Sequence, residues 1–329
     1  ADLALGADLR QGAFWDFNGD GHIDLAAARP FQSDVSVRFG DGTGNFTGST
    51  QVSAEWGAYG VATGDVNGDG FLDLIIANFS TNNVSIRLGD GAGNFSNAPN
   101  VTLGGGTTDV ALGDVNEDGN LDFALVSLAT TDIAIGLGDG AGNFSIGASV
   151  AVGAVPEGVA LGDVNGDGHL DAVASDFSSG YIYISFGDGT GNFGSAITVP
   201  VSNSSRDIAL GDIDNDGVLD IGVASGSAVH IVVMYAYLDI VATTPAANAT
   251  NISATSDISM TFSTSPVVST ITANNIKIYG SLSGYLSTRG TFSVNGTTAT
   301  WSHPSVVFEP GEISTVTVTS AVTSIEGIS

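Results

Sequence analysis

The sequence predicts an all-β chain, a five-bladed β-propeller followed by a small β-sandwich. Three observations carry this. A nine-residue acidic loop recurs five times at a spacing of 49 residues. Each repeat holds four short apolar runs rich in β-branched and aromatic residues, and no segment sustains a period of 3.6. After about Tyr237 the repeat stops, acidic residues thin out, and Ser and Thr become more frequent.

The fourth repeat illustrates the unit, with runs at Gly158–Gly162, Leu170–Ser175, Tyr181–Phe186 and Ala196–Val201. The acidic loop joins the first run to the second. A second motif, Gly40–Phe46 (GDGTGNF) and its copies at Gly89–Phe95, Gly138–Phe144 and Gly187–Phe193, joins the third to the fourth. Its Gly and Asn residues read as a hairpin turn with positive φ. Four strands per repeat of this length are the mark of a propeller blade. The fifth repeat supplies three runs, Asp207–Gly211, Leu219–Ala224 and Val229–Met234, and then loses the second motif. Residues Asp2–Leu5 sit where a fourth strand belongs, so the N-terminus is expected to complete the last blade and close the ring over residues 1–238. Over 239–329, Thr243-Thr244-Pro245 reads as a turn. Short strands are expected after it at Ile258–Phe262, Ile276–Tyr279, Gly290–Val294, Thr297–Trp301 and Thr315–Thr319.

The loops point to calcium. They run Asp16–Asp24, Asp65–Asp73, Asp114–Asp122, Asp163–Asp171 and Asp212–Asp220. Position 1 is Asp16, Asp65, Asp114, Asp163 or Asp212; position 3 is Asn18, Asn67, Asn116, Asn165 or Asp214; position 5 is Asp20, Asp69, Asp118, Asp167 or Asp216. Position 9 is Asp24, Asp73, Asp122, Asp171 or Asp220. These are hard oxygen donors, which calcium takes six to eight at a time at about 2.3–2.6 Å. Position 6 is always Gly, where a chain wrapping an ion must turn sharply. Position 7 varies (His22, Phe71, Asn120, His169, Val218), as expected of a residue offering only its backbone carbonyl. Position 12 is apolar (Ala27, Ile76, Leu125, Ala174, Val223), unlike an EF-hand, so position 9 closes the site and the loop joins strands. An Asx-rich turn without metal is the competing reading, but five such acid clusters would repel themselves without a cation. Magnesium prefers stricter octahedral geometry, and no Cys is present to suggest zinc.

The chain carries 35 acidic and 7 basic residues, a formal charge of −28. That argues against nucleic acid or anionic membrane as partner. Without Cys, no disulfide holds the fold, and weak calcium sites stay filled only at the millimolar calcium found outside cells. The expected location is extracellular or cell-surface. No signal peptide or membrane-spanning apolar run is apparent; the longest apolar stretch lies around Ile231–Leu238. The start at Ala1 suggests a processed or partial product. Asn-x-Ser/Thr occurs at Asn45, Asn78, Asn83, Asn94, Asn100, Asn143, Asn203, Asn248, Asn251 and Asn295; glycosylation and unmodified polar turns both fit.

On these residues, DVNGDGxLD followed by LGDGxGNF, the repeats resemble the FG-GAP/VCBS repeats of the integrin α-chain head and of many secreted microbial proteins. The resemblance implies a calcium-binding propeller with metal loops between the first two strands of each blade. Integrin-type heads have seven blades, whereas the count here is five. Residues 239–329 resemble bacterial Ig-like domains of surface-layer and adhesin proteins, through Thr244-Pro245-Ala246, Asn251-Ile252-Ser253, Ile258–Ser263 and Pro310-Gly311-Glu312 with Val316–Thr319. Such domains end with one more strand, so either more protein follows Ser329 or another subunit fills the open edge.

Two functions follow. One is a calcium-stabilised structural or adhesive protein, a subunit of a filament, sheath or surface layer. It would self-associate through the Ig-like domain or bind other surface proteins and glycans. The other is a lectin-like module, with variable residues Arg10, Tyr59, Thr108, Glu157 and Arg206 before the first strands, Trp56 beside Tyr59, and Trp15 where Gly64, Gly113, Gly162 and Gly211 stand elsewhere. An enzyme is not expected: G-x-S-x-G, H-E-x-x-H and the phosphate-binding loop are absent, and His22, His169, His230 and His303 are scattered.

Overall fold

Each 49-residue repeat folds as one antiparallel sheet in the computed structural model. It describes residues 9–213, 215, 218–226, 228–232, 234, 240–246, 257–262, 271–273, 276–280, 284–286, 290–295, 298–302 and 314–318. The first repeat forms β1 (Gly12–Trp15), β2 (Asp24–Arg29), β3 (Asp34–Gly40) and β4 (Phe46–Ser53), paired in that order. The second forms β5 (Ala58–Gly64), β6 (Asp73–Asn78), β7 (Asn83–Gly89), β8 (Phe95–Asn97) and β9 (Val101–Thr102). The third forms β10 (Thr107–Gly113), β11 (Asp122–Ser127), β12 (Asp132–Gly138) and β13 (Phe144–Ala151), and the fourth β14 (Pro156–Gly162), β15 (Asp171–Asp176), β16 (Tyr181–Ser185) and β17 (Ile197–Pro200). The fifth holds three strands, β18 (Ser205–Gly211), β19 (Asp220–Ser225) and β20 (Val229–Val232). The expected closing strand at Asp2–Leu5 lies outside the described residues.

The core sits between consecutive sheets. Strands β6, β11 and β15 are buried along their whole length, which explains their unbroken apolar runs in place of strict alternation. Ile76, Leu74 and Val61 pack with Val35 and Val37 of the preceding sheet; Phe123 and Leu125 pack with Ile75 and Ile86. In the third and fourth repeats a Leu pair, one at the end of the first strand and one just before the second, enters a glycine hollow of the sheet before it. A Cβ at Gly64 would meet Leu112 Cδ1 at 3.0 Å and Leu121 Cδ1 at 2.6 Å, and one at Gly113 would meet Leu161 and Leu170.

At the start of the first strands, position by position, stand Gln11, Gly60, Asp109, Gly158 and Asp207. The large residues bridge to the next sheet: Val61 N donates to Gln11 Oε1 (2.7 Å) and Val159 N to Asp109 Oδ2 (3.0 Å). The glycines make room, since a Cβ at Gly60 would stand 2.8 Å from Asp109 Cα and one at Gly158 3.1 Å from Asp207 Cα. Burial pushes the Asp109 carboxyl up to about 7, with Asp207 adding to the rise, while N–H bonds from Val159 and Val110 and the Gln11 side chain oppose it. A raised acid stabilises the fold fully below its ordinary pKa, and that contribution is lost as pH rises through about 7. Asp109→Asn is therefore expected to gain stability relative to the parent, by on the order of 2–4 kcal/mol, as pH rises from about 4 to about 8. Denaturant unfolding across that range reads the difference between the two proteins; a pH-independent difference would contradict this.

Two expectations for the repeats need correction. The fourth strand of the second repeat is split into β8 and β9, both pairing β7, because Pro99 between them has no N–H for the ladder. Asn78 is a poor glycan acceptor, since its side chain is buried and donates to Asn83 Oδ1 and Ser85 Oγ.

The chain divides into two compact units, the second containing everything from Val233 onward. That part forms β21 (Ile240–Thr244), β22 (Ile258–Phe262), β23 (Ile276–Gly280), β24 (Gly284–Tyr285), β25 (Thr291–Asn295), β26 (Thr298–Ser302) and β27 (Ser314–Val318). One sheet runs β21-β22-β26-β25 and the other β24-β23-β27, with Met260, Phe262, Ile276, Ile278 and Trp301 buried. Thr243-Thr244 is strand where a turn was expected, since a residue before Pro is pushed to extended backbone. The region after Val318, where a further strand was expected, lies outside the described residues. Among the described residues there is no helix, and none long and apolar enough to cross a membrane, which leaves strand-built membrane proteins unaddressed.

Candidate metal centre

Each acidic loop leaves the end of a first strand and returns into the second, joining β1 to β2, β5 to β6, β10 to β11, β14 to β15 and β18 to β19. The second loop shows the wiring. Asp65 Oδ1 accepts N–H bonds from Gly68 (2.7 Å) and Asp69 (3.2 Å), and its Oδ2 accepts one from Gly70 (2.8 Å). Asn67 Oδ1 accepts from Asp69 N, Asn67 Nδ2 donates to Asp69 Oδ2 (2.8 Å), and Asp69 Oδ1 accepts from Phe71 N (2.9 Å). The backbone thus already wraps the side chains of positions 1, 3 and 5. The loop with Asp16, Asn18 and Asp20 repeats these bonds, and the loop with Asp114, Asn116 and Asp118 repeats those from positions 3, 5, 6 and 7. In the fourth loop Gly168 N donates to Asp163 Oδ2 and Asn165 Nδ2 to Asp167 Oδ2. Asp214 and Asp216 of the fifth loop lie outside the described residues, while Asp212, Val218 and Asp220 are placed on it.

Position 9 does different work. Asp73 is fully buried; its Oδ2 accepts Val66 N (2.9 Å) and its Oδ1 accepts Gly89 N (2.8 Å), tying the loop's start to the end of β7. Asp24 and Asp122 are bonded alike, and Asp171 accepts from Gly187 N. Burial pushes the Asp73 carboxyl up to about 6, and the nearby Asp69 and Asp65 push the same way. Position 7 offers no common side chain: His22, Phe71 and Asn120 pack over Gly42, Gly91 and Gly140 of the second motif, and His169 over Gly189.

Sequence reasoning missed two features. Position 4 needs left-handed backbone as position 6 does: Gly19 and Gly68 have positive φ, and so do the non-glycine residues Glu117 (57°) and Asn215 (64°). The two motifs are also one assembly. The first Gly of the second motif lies against the carbonyl of loop position 8, so a side chain at Gly40, Gly89, Gly138 or Gly187 would strike Ile23, Leu72, Leu121 or Leu170. The turn itself is closed by its own Asp: Asp90 Oδ1 accepts from Ala92 N and Asn94 N, and the Asn94 side-chain bond holds its carboxyl below the usual range. Turns then brace the loop of the preceding repeat, with Gly142 N donating to Val66 O and Gly191 N to Val115 O (both 3.0 Å). Glu117 and His169 join two neighbouring loops at 2.5 Å.

The donor set fits a hard divalent cation: oxygens of three or four acidic or Asn side chains per loop, on a backbone bent at two left-handed residues. The carboxylates are turned to backbone N–H groups. Among the described residues no three acidic or His side chains gather as a ready cage, so binding needs side-chain rotation inside a preformed loop.

The FG-GAP-like repeat family matches residues 16–76, 65–125, 114–174 and 163–223, and the bacterial Ig-like domain family matches residues 236–329. No curated protein matches the chain. Among solved structures, a functionally unknown protein from Desulfotomaculum acetoxidans is similar at TM-score 0.52 and 11% identity, over 70% of this chain and 66% of that one. An Agrocybe aegerita lectin recognising non-reducing terminal N-acetylglucosamine is similar at TM-score 0.48 and 21% identity, over 69% of this chain and 67% of that one. The Photorhabdus luminescens Tc holotoxin pore is similar at TM-score 0.40 and 17% identity over 70% of this chain, which spans 11% of that one. These likenesses concern fold alone. Pairing such repeats with a bacterial Ig-like domain is typical of extracellular or surface proteins, and the chain belongs to the FG-GAP-like repeat family.

Proposed function

We propose that this is an extracellular structural or adhesive protein whose repeats are held rigid by about five calcium ions, one per acidic loop. Positions 1, 3, 5 and 9 supply side-chain oxygens and position 7 its backbone carbonyl. The observation that carries the reading is the bracing of the loops: position 9 ties four of them to the turn of their own repeat, and the second and third loops are also bonded to the turn of the next repeat. An ion fixing one loop therefore stiffens two sheets, which suits a load-bearing surface subunit, and no catalytic role is assigned. The Ig-like part supplies the link to further copies or to other surface proteins and glycans. Imaging of native material in millimolar calcium should show polymers; monodisperse single chains under those conditions would sink the assembly role.

Ring closure at five blades belongs to the same proposal. Phe14 and Ile23 of the first repeat hold the places of Leu112 and Leu121, yet are 63% and 60% exposed, and among the described residues nothing stands within 4 Å of a Cβ at Gly211. The first and fifth repeats thus present a matching knob and hollow. Gly211→Leu is expected to destabilise by about 1–3 kcal/mol, as Gly113→Leu should, through overpacking of a closed seam. A neutral or stabilising effect at 211, with the loss at 113 intact, would mean an open seam.

A second reading, a binding module, is favoured by aromatic side chains on the other end of the sheets. Trp56 and Phe31 are more than half exposed there, in the loops β4–β5 and β2–β3.

A further inference from the structure

The end of the repeats opposite the acidic loops carries an arginine with most of its hydrogen-bonding capacity unspent. Of the 7 basic residues in the chain, Arg29 is paired with Asp34, and Arg87 is buried and bonded to the Ser53 and Ile86 carbonyls. Arg206 and Arg10 lie at the starts of the fifth and first repeats. Arg206 donates to Glu157 Oε1 (2.6 Å) and its guanidinium sits 4.7 Å over the Phe177 ring. Arg10 sits 4.6 Å over Tyr59, which stacks on Phe79 at 4.7 Å, so the guanidinium plane is set by an aromatic pile. Its hydrogen bond is a long one, 3.4 Å to the Tyr59 hydroxyl. Glu157 feels both guanidiniums but bonds Arg206. The Arg10 fork is thus exposed, oriented and, among the described residues, without a bonded carboxylate.

A planar guanidinium held on an aromatic face is suited to bidentate capture of a carboxylate. Three residues before Tyr59, the exposed indole of Trp56 is anchored by its own backbone, whose carbonyl accepts Ser80 N (3.1 Å). An exposed aromatic face beside polar donors is what a sugar ring stacks on. We propose that Arg10, Tyr59 and Trp56 form a site for a carboxylated sugar, with the carboxylate on Arg10, a ring hydroxyl on the Tyr59 phenol and the sugar face on Trp56. The site rests on the binding-module reading and needs no metal at its own end.

The test uses the full chain in calcium, titrated with oligoglucuronate, the matched neutral oligoglucose and acetate, and followed by calorimetry. Oligoglucuronate should bind at least about tenfold tighter than either of the others. Arg10→Gln should weaken it by about tenfold, Arg10→Lys nearly as much because the fork is lost, and Trp56→Ala should weaken it without changing the melting temperature. Equal binding of oligoglucose, untouched by Arg10→Gln, would overturn the acidic-sugar site while leaving a binding module. Equal binding of acetate would reduce it to an adventitious anion contact, and no binding of any probe would overturn both the site and the module.

Discussion

Excess chelator is expected to lower the melting temperature of the repeats by about 5–10 °C for each site emptied. An ion bound only by the folded chain at a hundred times its dissociation constant contributes about 2.7 kcal/mol, and a repeat region of this size shifts by about 2–4 °C per kcal/mol. The physical cause is specific to these loops. Asp65, Asp69 and Asp73 crowd one another, and Asp73 is already pushed up by burial; a divalent cation turns that repulsion into attraction. Removing it leaves the acids facing each other in a chain of charge −28. Differential scanning calorimetry with and without chelator checks this, and restoring calcium should restore the melting point. An unchanged transition would remove calcium from the account.

Asp73→Ala should be among the most damaging single substitutions in the repeats, costing roughly 3–5 kcal/mol. It strands two backbone donors, Val66 N and Gly89 N, each worth about 1–3 kcal/mol when buried without an acceptor, and it deletes the proposed closing ligand. Asp73→Asn keeps one acceptor and should fall between. In calcium, Asp69→Ala should cost more than Asp90→Ala, because the first removes a proposed ligand and the second only the cap of an exposed turn. Denaturant unfolding of the four variants reads the ranking. Asp73→Ala indistinguishable from Asp90→Ala would show that position 9 does not hold the blade together.

The strands and the two motifs were legible because their chemistry is local. Asp, Asn and Gly at fixed offsets dictate a wrapped loop and a tight turn wherever they occur. What joins the motifs was not legible, because the contact of Gly89 with the Leu72 carbonyl crosses 17 residues and leaves only an ordinary Gly in the text. Glu117 hid the left-handed position for a related reason: three of the five repeats put Gly there, and Gly explains itself too easily. The break at Pro99 could have been read from the missing N–H. The exposed Phe14 and Ile23 could not, since in the third and fourth repeats the same places carry packed leucines.

The row Gln11, Gly60, Asp109, Gly158, Asp207 gives the repeats a parity. A bulky side chain in one sheet occupies the space that glycine vacates in its neighbour, so two adjacent repeats make one interlocking pair. Modules of this chain are therefore expected to be interchangeable in steps of two: the second and fourth can trade places, whereas exchanging the second with the third sets Asp109 against Gln11 and glycine against glycine. Any shuffling, duplication or grafting of these repeats, in a laboratory or over generations, has to move them as couples.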